Sequence, residues 1–421
     1  MAKRKSASSK PIRVGVVGVG RGQTFMHQAP LAGMQLVAIC DTWEERLHKV
    51  GDELGVATYT DYDEFLKHDM DAVITANYFH QHAPFAIKAL RAGKHVMSET
   101  AACKTLAEGV ALCREVERSG KIYMFAENYP YTAANIEMRR LYQAGEIGQA
   151  LYAEGEYNHP MSMEDIMRIS PGLNHWRNNL PSTYYCTHAL APLMSATDTW
   201  PVSVNALSIA SPEGYRPLNP RRGDLGAVIL CRMDNGSVFR LFQTGVPGHS
   251  IWYRIHGTRG LIEHTRGPGY WGPGQLRVVH DPWDLLPEEV AERTYLPDFP
   301  TWARKAGEAG HGGGDYFTTY YFSEAIRTGK QPYLDVYRGV AMSLVGVLAW
   351  KSALQDGAPF RVPNMRSEEE RSAYENDEWS PFPEDVGPGQ PFPSIKGDIK
   401  PNAAAVRFAR KVWKGIGYEG K

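Results

Sequence analysis

Ile12-Arg13-Val14-Gly15-Val16-Val17-Gly18-Val19-Gly20-Arg21-Gly22-Gln23 decides the fold of this 421-residue chain, because an apolar run delivers its backbone into a glycine turn. The run reads as a buried parallel strand, and a helix is expected over 24–32. Gly18 permits the tight turn out of the strand, and Gly20 keeps a side chain from standing between main chain and phosphate. Amides at the start of the helix would face that anion. The third position of G-x-G-x-x-G holds Gln23, with Gly22 one residue early. A second apolar run, Met34-Gln35-Leu36-Val37-Ala38-Ile39-Cys40, ends in Asp41. An acid roughly 20 residues past the glycines would accept hydrogen bonds from an adenosine ribose and repel a 2'-phosphate. The order of these pieces predicts a dinucleotide site that selects NAD over NADP. A plainer reading makes the glycines a simple turn and Asp41 a cap for the next helix.

Outward from this turn, short apolar strands over 57–59, 71–75, 94–99 and 121–125 alternate with helices over 43–54, 62–67, 84–92 and 106–119. That alternation predicts a doubly wound parallel sheet, a Rossmann domain over 12–130. Ligands of such sheets lie beyond the carboxyl ends of the strands. Gly18, Gly20, Arg21, Gly22, Asp41, Thr75, Asn77, His80, Glu99, Thr100 and Asn128 should therefore ring one crevice and hold the cofactor. His80 could instead cap its helix or tie down a loop.

After Tyr131 the texture changes to a helix over 133–143 and alternating strands over 150–157, 203–210, 225–233, 237–244, 253–257 and 260–264. The turn Asp234-Asn235-Gly236 marks a hairpin. Residues 131–358, closed by helices over 315–328 and 337–354, read as an α+β domain with a large, mostly antiparallel open sheet that carries substrate and oligomer contacts. Residues 1–11 read as a disordered basic arm. Residues 359–421 read as a Pro/Gly-rich tail, with one helix over 403–413, that wraps a surface or a neighbouring subunit.

Lys and Arg number 46 against 47 Asp and Glu, a net charge of −1, which argues against a nucleic-acid partner or general membrane attraction. No apolar stretch approaches a membrane span, and no signal-peptide pattern precedes the first strand. Cys40, Cys103, Cys113, Cys186 and Cys231 are odd in number and lack C-x-x-C spacing. A reduced, cytoplasmic protein with no metal site is expected.

Ala92-Gly93-Lys94-His95-Val96-Met97-Ser98-Glu99, together with Asn77-x-x-His80 and the glycine turn, resembles the glucose-fructose oxidoreductase / inositol dehydrogenase / MocA (Gfo/Idh/MocA) family. The similarity continues through Glu127-Asn128, Gly145 to Gly148, Thr187-His188 and Asp335-Val336-Tyr337. It implies oxidation or reduction of a sugar's secondary alcohol and a homo-oligomer, dimer or tetramer, formed through the open sheet. The family's Glu-Lys-Pro becomes Glu99-Thr100-Ala101 here, and Tyr184 stands where the family has an aspartate four residues before its histidine. Tyr185 to Pro192, Glu127 to Tyr131 and His311 to Asp315 are similar to the branch with NAD-dependent glycoside hydrolases of the α-N-acetylgalactosaminidase type. In that branch the matching tyrosine and histidine positions lie at the sugar, which makes Tyr131, Tyr185 and His188 the catalytic candidates.

Taking a hydride from a sugar carbon requires removing the hydroxyl proton, which a threonine cannot do as a base near neutral pH. His188, with a reference pKa near 6.5, is assigned as base and orienting group, and Tyr185 or Tyr131 as proton donor or acceptor. His188 also admits a reading as a satisfied core histidine. Tyr152, Tyr157, Asn158, His159, Asn174, His175, Trp176 and Arg177 suit either sugar faces or an interface. Within that segment His175, Trp176 and Arg177 are placed nearest the substrate, and Arg177 suits an anionic group. His311 lines the pocket or simply precedes a helix. The function expected is NAD-dependent hydride transfer at a secondary hydroxyl of a sugar or glycoside. The alternatives are a redox-neutral NAD-dependent glycosidase and a non-catalytic regulator that binds NAD and sugar.

Overall fold

Predominantly apolar residues, buried on both faces over most of its area, form the first sheet: β1 (Ile12–Val17), β2 (Met34–Cys40), β3 (Ala57–Tyr59), β4 (Ala72–Thr75), β5 (His95–Ser98) and β6 (Tyr123–Phe125). The computed structural model describes residues 10–267, 274–385 and 387–418, so the arm expected over 1–11 lies, apart from Lys10 and Pro11, outside the described residues. The strands run parallel in the order β3-β2-β1-β4-β5-β6. The order reverses between β1 and β4, which opens a crevice at their carboxyl ends.

The first helix spans Gly22–Gln28, shorter than the expected 24–32. Pro30 has no amide hydrogen to donate to an α-helical carbonyl, so the chain makes one tighter turn over Pro30–Ala32 and leaves through Gly33 at φ +70°. Gly22 also resolves the imperfect fingerprint. A Cβ there would fall 2.8 Å from Val16 Cγ1, so Gly22 provides the close helix–strand packing that the pattern assigns to its third glycine.

The second sheet comprises β7 (Ala150–Asn158), β8 (Pro201–Ile209), β9 (Gly226–Met233), β10 (Val238–Thr244), β11 (Ser250–Gly257), β12 (Leu261–His264), β13 (Leu276–Val279), β14 (Glu292–Tyr295) and β15 (Phe360–Arg361). Its order is β14-β13-β12-β11-β7-β10-β9-β8-β15. All pairs are antiparallel except β7 with β10. The expected fold class, a parallel Rossmann sheet beside a mostly antiparallel one, is the one the chain adopts. The pleat sorts the second sheet by face. Ala153, Ile229, Leu241 and Ile255 are fully buried on the inner face, whereas Leu207 and Leu230 stand exposed on the outer. The outer face also carries Arg240 bonded to Glu154 and Arg277 bonded to Glu263.

Helix Thr187–Thr197 escapes sequence periodicity because every one of its residues is buried, Pro192 included, and it has no polar stripe. It lies hard against β7, where a Cβ on Gly155 would fall 2.0 Å from the Ala189 carbonyl oxygen. Helix Gly314–Thr328 joins the first domain's core through Phe322 and Ala325, and Arg327 donates to the Gly33 carbonyl at 2.9 Å. Helix Val336–Ala353 is buried along nearly its whole length, and Gly339 brings it onto Phe125. The tail runs back over the chain, ending in helix Ala403–Gly415, where Trp413 Nε1 donates to the Met167 carbonyl at 3.0 Å. No helix among the described residues is long and apolar enough to cross a membrane.

Candidate active site

Gly18 leaves β1 at φ +100°, and a Cβ there would meet the Ala76 carbonyl oxygen at 2.3 Å. At Gly20 a Cβ would meet nothing within 4 Å. One glycine is needed for the backbone's own packing, and the other leaves space above the turn for a phosphate to approach. Asp41 sits at the end of β2 and accepts from the Val19 amide at 2.7 Å and the Trp43 amide at 2.8 Å. It therefore fixes the turn and the start of helix Glu44–Leu54 at once. Beyond β4, the Asn77 Nδ2 and Oδ1 and the Thr75 Oγ1 are buried without a protein partner among the described residues. Buried polar atoms are rarely left unpaired, so open space above Gly20 and orphaned groups at Thr75 and Asn77 fit a dinucleotide. Gly20, Asp41, Thr75, Asn77 and Thr100 could hold it, on a turn that Gly18 and Gly22 shape by close packing.

Four other expected cofactor residues are committed within the protein. Arg21 Nε donates to Glu99 at 2.7 Å, and its two terminal nitrogens reach Asp315 at 3.0 and 2.6 Å. Asn128 donates to the same Asp315 at 2.9 Å, and His311 Nδ1 lies 2.8 Å from it. Burial by itself would raise the Asp315 carboxyl, but hydrogen bonds with His311 and Arg21 hold it below the usual carboxylate range. Arg21, Glu99 and Asn128 thus pin the glycine turn to helix Gly314–Thr328. His80 turns away from the crevice: its Nε2 pairs with Glu384 of the tail at 2.8 Å, and its ring stacks on Phe382. His82 takes a place on the crevice wall, with Nδ1 2.9 Å from the Ala101 carbonyl.

The crevice continues into a cleft of about 360 Å³ between the two domains, lined among others by Asn77, Thr100, Tyr157, Trp176, Arg177, Tyr185, Arg221 and His311. Just behind this wall, His188 is 6% exposed in the first turn of helix Thr187–Thr197. Its Nδ1 lies 2.8 and 2.9 Å from the two oxygens of Glu127, which is wholly buried past the end of β6. Nε2 has no protein partner among the described residues. Three tyrosine rings enclose this imidazole, with centroids at 4.5 Å for Tyr129, 4.7 Å for Tyr157 and 4.8 Å for Tyr185. Tyr157 arrives from the inner face of β7. Burial raises the Tyr185 phenol above its ordinary pKa, with Arg177 pulling the other way, so the phenol stays protonated near neutral pH.

Two expectations change place. Tyr131 packs on Phe317 and Tyr321 at 6.0 and 5.3 Å, off the cleft wall, and Tyr129 takes the position at His188. The two side chains stand two positions apart on the short turn that follows β6 and point to different neighbours, a difference that the Tyr129-Pro130-Tyr131 sequence does not disclose. His175 accepts from the Arg177 amide at 3.2 Å and meets Tyr78 in a second crevice beside Tyr418, while Trp176 and Arg177 face the cleft. Tyr129 joins the group without having been singled out for it, and Tyr157, expected at a sugar face or an interface, and Glu127, from the run Glu127 to Tyr131, meet at His188. The signals available were Glu127's place at a strand end and Tyr157's inward register on β7. Arg221 gave no sequence signal. Among the described residues no set of three histidine, cysteine or acidic side chains converges on a metal position.

Residues 12–127 match the family described as an oxidoreductase family with an NAD-binding Rossmann fold, and residues 210–369 match the C-terminal domain of glycosyl hydrolase 109. Curated relatives include a glycosyl hydrolase family 109 protein of Solibacter usitatus, 27% identical over 398 residues, covering 84% of this chain and 88% of that protein. An α-N-acetylgalactosaminidase of Shewanella oneidensis is 26% identical, covering 81% and 82%. Among solved structures, levoglucosan dehydrogenase in complex with NADH superposes with a TM-score of 0.71 at 21% identity, covering 84% of this chain and all of that one. An Agrobacterium radiobacter oxidoreductase in complex with NAD+ has a TM-score of 0.67 at 17% identity, covering 84% and 99%. The first domain thus matches the Gfo/Idh/MocA oxidoreductase family with its NAD-binding Rossmann fold over residues 12–127, and the second is similar to the C-terminal domain of glycosyl hydrolase 109 over residues 210–369.

Proposed function

We propose that this protein is an NAD-dependent enzyme transferring a hydride at a secondary hydroxyl of a sugar or glycoside, with Tyr185, His188 and Glu127 handling the hydroxyl proton. The observation that carries this reading is the buried Glu127–His188 pair, set behind Tyr185 and Tyr157 on the wall of the cleft that continues from the glycine turn. Bound NAD supplies the hydride acceptor at the substrate carbon. The protein must manage the proton that leaves the oxygen at the same time. Glu127, as acceptor, holds a hydrogen on His188 Nδ1 and so leaves Nε2 as the basic nitrogen. The protonated Tyr185 phenol, facing the cleft, is the natural hydrogen-bond donor to a substrate oxygen. Thr100 occupies the place of the family lysine and adds no base. Trp176 offers an aromatic face to a sugar ring.

The glycosyl hydrolase 109 match over residues 210–369 favours a second reading of the same site, redox-neutral hydrolysis. A ring ketone acidifies the neighbouring C–H, so a leaving group one carbon further departs by elimination. Water addition and return of the hydride then complete hydrolysis. One assay separates these readings: aryl glycosides and free sugars incubated with and without NAD+, following NADH absorbance and aglycone release together. Accumulating NADH selects the dehydrogenase, and aglycone without NADH selects the glycosidase. Tyr185→Phe and His188→Ala should each lower turnover by about 10²–10⁴-fold. No turnover across the panel, with His188→Ala changing ligand affinity alone, would establish a regulator instead.

Leu207 and Leu230, 61% and 43% exposed on the outer face of the second sheet, support a homo-oligomer formed through that face. Light scattering on Leu207→Glu would then give a smaller particle than the parent. All five cysteines are buried and unpaired, which supports a reducing, cytoplasmic setting.

A further inference from the structure

We infer that the cleft is built for an anionic sugar, one carrying a carboxylate, sulfate or phosphate ester, and that Arg221 with Arg177 receives the anion. The inference rests on the proposed reading of the cleft as the sugar site. Arg177 and Arg221 both line it, yet no carboxylate lies within salt-bridge distance of either among the described residues. Arg221 Nε is buried with no hydrogen-bond partner. The acid nearest in sequence, Asp224, also on the wall, is engaged elsewhere: it accepts from Ser208 Oγ at 2.6 Å, Ser394 Oγ at 2.6 Å and the Ile395 amide at 3.1 Å.

The arginines are held in place. Arg177 lies over the Trp176 ring at 4.2 Å and 5.9 Å from the centroid of Tyr185, which puts its charge beside the proposed reaction centre. Arg221 comes from the loop between β8 and β9. That loop is clamped to the Trp176–Asn178 turn, since the Arg222 amide donates to the Asn178 carbonyl at 2.7 Å and a Cβ on Gly223 would fall 2.3 Å from the Leu180 carbonyl oxygen. Burial depresses the Arg221 guanidinium, and Arg177 and Arg216 depress it further. His175 is lowered by burial and then by the same Arg177 and Arg221. A half-buried cation with an orphaned Nε and no counter-charge is costly, and an anionic ligand between the two guanidinium forks would supply the counter-charge through charge-assisted bonds. The dinucleotide's phosphates belong at Gly18 to Gly22, in the other domain, so this positive end of the cleft is left to the substrate.

Calorimetry on the full chain tests the inference without requiring turnover. The ligands are a methyl glucuronide, a 6-sulfated methyl glycoside, the neutral methyl glycoside and inorganic sulfate. At least one anionic sugar should bind roughly 10–100-fold tighter than the neutral one. Arg221→Met and Arg177→Met should each erase most of that ratio while changing the neutral sugar's affinity much less, and added salt should weaken only the anionic arm. Inorganic sulfate should compete with the anionic sugar. Equal affinity of wild-type protein for neutral and anionic sugars would overturn the inference, as would an anion preference that survives both substitutions. Neutral sugars turned over without anion preference would defeat this inference and leave the enzyme reading intact. Arginine-dependent anion binding without turnover would do the reverse.

Discussion

Arg21 and Arg221 line the same cleft, and their surroundings are opposites. Arg21 makes three bonds to two carboxylates and joins the glycine turn to a helix nearly 300 residues away. Arg221 has no acid within bonding distance among the described residues, and its Nε is orphaned. A guanidinium neutralised by the protein is part of the scaffold. One left charged and half-buried at a cleft wall, with its Nε orphaned, is poised for something that is not protein. The contrast separates the end of the cleft that is locked before any ligand arrives from the end whose charge only a ligand can balance.

The comparison can be broken first at Asp315. Asp315→Ala removes the carboxylate that Arg21, Asn128 and His311 share, and should cost about 3–5 kcal/mol by urea unfolding, as expected for breaking a buried ion pair. A loss under about 1 kcal/mol would show that the Asp315 carboxylate adds little beyond what Glu99 supplies to Arg21, and the contrast would weaken. Acid titration sharpens the same point. Asp315 has a folded pKa below its unfolded value, so its stabilisation is complete above the usual carboxylate range and is lost as pH falls through the folded value. Wild-type stability should therefore decline more steeply on acidification than that of Asp315→Asn. Glu99→Gln leaves Arg21 with Asp315 and should cost less, about 1–3 kcal/mol. Arg221→Met is the smallest change: unfolding free energy should stay within about 1 kcal/mol of wild type or rise, because no ion pair is lost and an uncompensated charge is removed. A large destabilisation by this variant would mean that Arg221 has a structural partner after all.

Much of the first domain was legible in sequence because its signals are local. Apolar runs set strands, glycines set the turn, and the helix over Leu106–Ser119 declares itself by period and by its Thr105 cap. The helix bearing His188 was not legible as a helix, since burial on all sides removes the polar stripe that periodicity detects. The candidate site divides in the same way. Tyr185, His188, Trp176 and Arg177 stood out by residue type and by resemblance. Resemblance chose Tyr131, and the fold puts Tyr129 at His188 instead.

By itself, then, the sequence determined two sheets, a nucleotide-binding turn and a set of residue types able to move a proton near a sugar. Tertiary structure alone decided which charges are paired. Glu127 meets His188 across 61 positions and Arg21 meets Asp315 across 294, and nothing local in the chain encodes either distance. Backbone conformation follows largely from short-range sterics and periodicity. The electrostatic role of a side chain depends on what long-range packing places within a few ångströms of it, and so Arg21 and Arg221 acquire different roles only when the chain folds.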